Sequence, residues 1–249
     1  IIYLILTIVL FGLYYVNGMS LFDAVAHSFT TISTGGFSTH DLSFAYFESH
    51  SILLIAIIFM ILGSFPFLVL AKTNIKNPFA AFKDHQVKIF LLLLFISICL
   101  IYFFAQKYLI GSEIQKIIII SFNTISIISG TGFISENFEG WGNYASTLFL
   151  ILMFIGGCAG STTGGIKIFR FQILLKYIAI HLKKMLQPHA VIASHFNGRK
   201  IQDSTYESVM IFFFIYILTF AFSALLLSFS GLDFLTCFSA AASAISNVG

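Results

Sequence analysis

The feature that most limits what this chain can become is the length of its apolar blocks. Residues 1–16, 51–71, 89–105, 144–180 and 207–230 are apolar with few interruptions. A helix on a soluble domain is apolar along one stripe only. Crossing a bilayer core of about 30 Å takes roughly 20 apolar residues in a helix. Composition agrees, with 58% hydrophobic and only 9% charged residues, against about 25% charged in globular chains. The blocks are rich in Leu, Ile and Phe and lack the alternation of a membrane β-barrel. The chain therefore reads as an all-α integral membrane protein embedded in the lipid bilayer. Ile1–Val16 has neither the basic leader nor the small-residue cleavage site of a signal peptide, so it reads as a shortened span. The chain starts at Ile1 and stops at Ser246-Asn247-Val248-Gly249, and we expect it to be a piece of a longer protein. Cys99, Cys158 and Cys237 are odd in number and sit among apolar or small residues, so they read as packed thiols and not as a disulfide framework.

Charge sets the expected orientation. Of 13 Lys and Arg, 11 fall at Lys72, Lys76, Lys83 and Lys88 or between Lys167 and Lys200; Lys107 and Lys116 are the exceptions. The positive-inside rule assigns those two regions to the cytoplasm. The opposite side then holds Asp23, Asp41, Glu48, Glu113, Glu136, Glu139 and Asp233, an acidic bias that concentrates cations. A formal net charge of +3 belongs to the inner face and gives no reason to invoke nucleic acid.

A repeat organises the rest. Ile32-Ser33-Thr34-Gly35-Gly36, Ile128-Ser129-Gly130-Thr131-Gly132 and Ile245-Ser246-Asn247-Val248-Gly249 all read I-S-x-x-G. The first two are followed by Phe37 and Phe133. Each follows a helix-length apolar stretch with a capping signal: Ser20 with Asp23, Ser112 with Glu113, and Asp233. A stretch that leaves and returns to one face is re-entrant, and irregular backbone at that depth must line a cavity or be buried in protein. The expected plan is a repeated span, short pore helix, filter-like turn and span around one pore. Unit one covers 1–71 and unit two 88–180, and unit three runs 206–249 and stops at its turn. Cytoplasmic linkers at 72–87 and 181–205 join them, the second basic enough to be either a solvated connection or a docking surface.

The turns suggest their chemistry. A re-entrant helix aims the partial negative charge of its C-terminus at the membrane centre. The turn beyond it can present carbonyls that replace an ion's hydration shell. The turns carry no Asp or Glu, which a calcium or magnesium site would need, and no Arg or Lys, which an anion pore would need. A potassium-like cation fits, with ligands from Ser33, Thr34, Gly35, Gly36, Ser129, Gly130, Thr131, Gly132, Ser246, Asn247, Val248 and Gly249. The bland alternative is three tight bends between helices.

Inside the block 144–180 lies a second feature, Gly156-Gly157-Cys158-Ala159-Gly160-Ser161-Thr162-Thr163-Gly164-Gly165, followed by Lys167 and Arg170. Five glycines at about 1 kcal/mol each relative to Ala disfavour a continuous helix. It reads either as close helix packing through small residues or as a broken helix whose middle forms a gate. The Walker order of glycines and lysine is absent. The histidines form no catalytic or metal cluster: His27 reads first as a buried structural residue, and His40 and His50 as outer-loop residues. Nothing indicates an enzyme.

These segments resemble the Trk/Ktr superfamily of potassium uptake proteins. The likeness rests on Thr31 through Asp41, Ser129 through Phe133, Gly156 through Arg170 and Ser246 through Gly249. The linker residues Pro188-His189-Ala190-Val191 and Asn197-Gly198-Arg199 resemble the Trk-type membrane subunit in particular. The resemblance implies four pore repeats in one chain, of which units one to three here would be the second, third and fourth. It implies one filter glycine per repeat (Gly36, Gly132, Gly249), a gating loop at Gly156–Gly165, no bound cofactor, and K⁺ as the transported ion. It further implies a homodimer, a cytoplasmic nucleotide-binding regulatory subunit and residence in the bacterial inner membrane. Asn247 and Val248 depart from the Gly/Thr-rich pattern, and an asymmetric, less selective pore is expected from them. The competing class is an Na⁺- or H⁺-coupled secondary transporter, which would ordinarily carry an ionisable residue within a span; the spans here carry almost none.

Overall fold

A computed structural model describes residues 1–73, 80–187, 195–196 and 199–248. Ten α-helices are found among them. Unit one consists of α1 (Ile2–Val16), α2 (Leu21–Ile32), α3 (His50–Gly63) and α4 (Phe67–Lys72). Unit two follows as α5 (His85–Ala105), α6 (Glu113–Ile128), α7 (Asn143–Met153) and α8 (Ile168–Leu186). Unit three is α9 (Asp203–Ser228) and α10 (Phe234–Ser246). The helical architecture is interrupted by one two-residue antiparallel ladder, His195 opposite Lys200 and Phe196 opposite Arg199. Lys76, Pro188, His189, Ala190, Val191, Asn197, Gly198 and Gly249, the last an expected filter residue, lie outside the described residues.

The short helices start where their capping signals place them. Ser20 Oγ accepts from the Asp23 amide at 3.1 Å and donates to the Asp23 carboxylate at 2.7 Å. At α6 a full capping box forms, with Gln115 and not Glu113 as the reciprocal partner of Ser112. Asp233 accepts from the Thr236 amide at 3.2 Å. Each cap satisfies an amide that a helix start leaves unpaired, worth about 1 kcal/mol.

Two apolar blocks form unbroken membrane-length helices, α5 with 21 residues and α9 with 26. The block 51–71 does not. It breaks at Ser64-Phe65-Pro66, because Pro66 has no amide to donate and pushes the residue before it out of helical conformation. Block 144–180 breaks between Met153 and Ile168. α2 packs between α1 and α3, and α3 against α6, so units one and two share one aromatic-rich core. Phe44 lies at its centre, 4.4 Å from the ring of Phe133, 5.2 Å from Phe122 and 5.2 Å from the ring of His27. Unit three forms an α9–α10 hairpin joined to α8 through a smaller cluster of Ile173, Ile201, Tyr206 and Val209. The Arg170 guanidinium lies 3.7 Å from the Phe212 ring centroid, tying α8 to α9. Numerous large apolar side chains remain exposed on the outer faces, Phe95, Phe103, Phe214 and Phe222 among them, as suits helices that face lipid.

Candidate permeation site

All three I-S-x-x-G turns close their helices in one way. The amides of Gly35, Thr131 and Val248 each donate to the carbonyl five residues back, to Thr30 at 2.8 Å, Ser126 at 2.9 Å and Ser243 at 3.0 Å. Between donor and acceptor sits a residue in left-handed conformation: Thr34 at φ +50°, Gly130 at +67° and Asn247 at +57°. A long-range amide bond over a left-handed residue is a Schellman closure. The first x of the motif is thus not a free position but the left-handed residue that ends the helix. Gly and Asn adopt this conformation readily. Thr34 is β-branched, for which positive φ is an outlier.

The hand alternates beyond that point. Gly36 returns to φ +68° and Gly132 to +79°, while Gly35 and Thr131 between them stay outside the left-handed region. Alternating hand lets a short segment aim successive peptide dipoles to one side. The turns also meet. A Cβ on Gly36 would overlap the Thr131 carbonyl, and one on Gly130 would sit 3.5 Å from the Asn247 carbonyl oxygen. Turn one therefore touches turn two, and turn two touches turn three.

Ser33 and Ser129 occupy the C-cap positions of α2 and α6. Ser33 Oγ lies 3.4 Å from the Thr30 carbonyl, Ser129 Oγ bonds Thr131 Oγ1 at 2.7 Å, and Ser246 Oγ bonds the Tyr216 hydroxyl of α9 at 2.7 Å. Val248 is buried. The two phenylalanines that the sequence pairs are not equivalent. Phe133 is 1% exposed and packs into the shared core, whereas Phe37 is 77% exposed.

The segment 154–167 folds back beneath these turns. Gly156 NH donates to Ile166 O at 2.9 Å, Ile166 NH to Phe154 O at 3.0 Å, and Ile168 NH to Gly157 O at 3.1 Å, closing the loop on itself. Thr162 Oγ1 donates to the last carbonyl of α2, Ile32 O, at 3.0 Å, and lies 3.2 Å from both Gly63 O and Thr34 Oγ1. A Cβ on Gly164 would overlap the Ser246 carbonyl and stand 3.0 Å from Asn247 Cβ, so this loop supports turn three as well. The Lys167 ammonium is enclosed by oxygens of the same loop, with Ser161 O at 3.4 Å, Ser161 Oγ at 3.3 Å, Thr163 Oγ1 at 3.0 Å and the Thr163 carbonyl. Ser161 Oγ reaches Cys158 O at 2.6 Å and Thr163 Oγ1 at 2.8 Å. The loop is thus held by specific polar bonds and not by small-residue packing alone.

Sequence reasoning missed what holds the loop from outside. The backbone groups freed by the break at Pro66 serve it: Cys158 NH donates to Ser64 O at 3.0 Å, Thr162 NH to Gly63 O at 3.3 Å, and Phe67 NH to Gly160 O at 3.0 Å. Gln86 Oε1 accepts from the Ala159 amide at 2.9 Å. Pro66 inside an apolar block was the available signal; Gln86 offers none.

At the outer end of α2, Asp23 accepts from Thr39 Oγ1 at 2.5 Å and pairs with His40 Nε2 at 3.2 Å. His40 stacks on Tyr46 at 3.5 Å, so it is a packed residue of the outer loop. Burial pushes the Asp23 carboxyl up, but the bonds from Thr39, Ser20 and His40 together hold it below its ordinary range.

Re-entrant helices, turns of alternating hand and a broken helix beneath them define a multi-pass membrane protein of the pore-loop class. The comparisons agree. Residues 1–249 match the TrkH family model, described as a cation transport protein, and the chain belongs to that family. It is 38% identical over 239 residues to the Trk system potassium uptake protein TrkI of Halomonas elongata, covering 95% of this chain and 48% of the relative. To TrkH of Vibrio parahaemolyticus it is 36% identical over 255 residues, covering 100% and 52%. The crystal structure of the potassium transporter TrkH from Vibrio parahaemolyticus superposes with a TM-score of 0.92 at 34% identity, over 100% of this chain and 54% of that one. The fold is therefore the potassium-channel-like membrane fold of that transporter, and the chain spans about half the length of the relatives it matches.

Proposed function

We propose that the full-length protein carries potassium into the cell through a gated pore lined by backbone carbonyls. Ser33–Gly36, Ser129–Gly132 and Ser246–Gly249 supply ion ligands, and Gly156–Gly165 with Lys167 forms the gate. The observation that carries this reading is the shared closure of the three turns, which brings three helix C-termini and their carbonyls together without a charged side chain in any turn. Carbonyl dipoles with no carboxylate suit a monovalent cation that must bind and leave. The loop beneath bonds to turn one through Thr162 and packs through Gly164 against turn three, where a gate can act on the path. Units one to three correspond to the last three of four pore repeats, with the basic linkers on the cytoplasmic side of the inner membrane. A homodimer and a nucleotide-binding cytoplasmic subunit complete the assembly; the names of the relatives as components of a Trk system support a multi-part system.

The test is paired K⁺ and Na⁺ flux through the full-length protein in liposomes, with Gly36 and Gly132 each replaced by Ser. K⁺ flux that loses its preference over Na⁺ on either substitution supports the pore and its filter. Flux indifferent to both glycines in folded protein rejects the filter residues.

A further inference from the structure

Behind the two filter turns of the shared core the structure repeats a second, unadvertised arrangement. His27 stands seven residues before the left-handed Thr34, and Asn123 seven before Gly130. Both are fully buried. His27 Nδ1 lies 2.8 Å from the carbonyl of Asp23, and Asn123 Nδ2 donates to the carbonyl of Ile119 at 3.0 Å; each partner is one helical turn back. Each side chain also reaches across to the segment that leaves the filter. His27 Nε2 is 2.9 Å from Ser38 Oγ. Asn123 donates to Ser135 Oγ at 2.8 Å and accepts from the Ser135 amide at 3.2 Å. Two chemically different side chains thus make the same bridge, from the middle of the pore helix to the outgoing strand two or three residues past the filter glycine.

The chemistry of the bridge is defined. A carbonyl only accepts, so Nδ1 of His27 carries a proton, and in the neutral ring Nε2 accepts from the Ser38 hydroxyl. The ring is enclosed edge-on by Phe44 and Phe47, each 5.2 Å away between centroids, and so cannot exchange these partners for water. A buried polar group left without its partner is costly, so each bridge fixes the separation between a point on the pore helix and a point on the outgoing segment. Between those points lies the filter turn. The third unit lacks the device, since the residue seven before Asn247 is Ala240.

We infer that His27 and Asn123 are filter-positioning residues, which set the ion preference of turns one and two by clamping their outgoing strands to the pore helices. This rests on the filter reading above. Ion preference depends on where carbonyls are held, so loosening the strand loosens the cage without removing a ligand.

The experiment measures K⁺ and Na⁺ flux of full-length protein in liposomes for His27→Ala, Asn123→Ala, Ser38→Ala and Ser135→Ala, with the double variants H27A/S38A and N123A/S135A. Removing a clamp should lower the K⁺/Na⁺ ratio about three- to tenfold, the equivalent of one hydrogen bond, with K⁺ flux retained. Each Ser variant should match its helix partner, and each double variant should be no worse than the worse single. His27→Asn, which transplants the residue of unit two, should restore part of the ratio. The two Ser→Ala variants decide the matter if the helix variants do not fold. Wild-type ratios in folded S38A and S135A, or additive losses in the doubles, overturn the clamp while leaving the pore intact. Absence of K⁺ flux in the wild type overturns the pore itself, and the clamp with it.

Discussion

Units one and two differ from unit three in what surrounds the same five-residue string. In the first two, the pore helix is packed on several sides: α2 by α1 and α3, α6 by α3 and α5. Phe44 and Phe133 seal the join between them, and Ala45 NH of unit one donates to Ile134 O of unit two at 3.1 Å. In unit three, α10 pairs chiefly with α9, and α9 leaves Phe214, Leu218, Phe222 and Leu225 exposed. Yet all three strings close with the same long amide bond over a left-handed residue. The closure is local and follows from a helix ending at a residue that tolerates positive φ. What holds the closed turn in place is tertiary, and there the units part company: His27 and Asn123 brace the first two, while Ser246 of the third is held by Tyr216 from the outer helix.

The largest effect should come from placing a side chain where two turns meet. Gly36→Ala combines a strained conformation with overlap on the Thr131 backbone, and should lower stability by about 3 kcal/mol with loss of ion preference. Gly231→Ala in unit three has a similar φ of +74° but open space around it, and should cost only about 1 kcal/mol. Melting temperatures of the two purified variants test this; equal losses would show that conformation alone matters and contact between turns does not.

Next come the bonds of the loop. Lys167→Met removes the ammonium from its oxygen cage and the charge-assisted bonds that close it, worth about 1.5–3 kcal/mol. If the loop is the gate, resting K⁺ flux should rise about tenfold. Gly164→Ala presses first on Ser246 and Asn247, so its main effect should fall on the loop's support of turn three. Flux in liposomes without any partner protein reads both, and a fall in either variant would contradict a blocking role.

A smaller difference is set by pH. Asp23 belongs to unit one, and its register equivalent in unit two is Ile119. The Asp23 carboxyl is held below its ordinary value of 3.8, so the folded state binds this proton less readily than the unfolded one. The stability it contributes is present above that ordinary value and is lost as pH falls through the depressed folded value. Wild-type protein should therefore lose melting temperature more steeply than Asp23→Asn as pH falls below about 4. Parallel curves would remove the carboxylate from the outer brace.

The smallest effect compares helix ends. Thr34→Gly relieves an unfavourable left-handed residue and should stabilise by about 1 kcal/mol, reduced by loss of the contact with Thr162. Asn247→Gly exchanges two residues that both accept this conformation and should change stability by less than about 0.5 kcal/mol. Chemical denaturation of the two variants would reveal whether the third turn is more strained than its φ implies.

Much of this was legible beforehand. The apolar blocks announced a membrane protein, the caps at Ser20, Ser112 and Asp233 marked where the short helices begin, and the glycines at 156–165 marked a segment that would not stay helical. Less legible were features whose meaning depends on a partner distant in sequence. Pro66 breaks a helix by local rule, but that the freed carbonyls of Gly63 and Ser64 would receive the loop at Cys158 and Thr162 could not be read from one segment. Phe37 and Phe133 look alike in sequence and differ in burial because only the second faces Phe44. His27 and Asn123 share no chemical class, so no pattern search pairs them.

The sequence by itself determined the solvent, the apolar blocks, the starts of the short helices and the positions of the turns, because each depends on residues within one or two helical turns of one another. Tertiary structure alone decided which turns touch, which phenylalanine is sealed and which side chains bridge a short helix to the segment beyond its turn, because those bonds join residues whose separation along the chain is set by packing and not by periodicity.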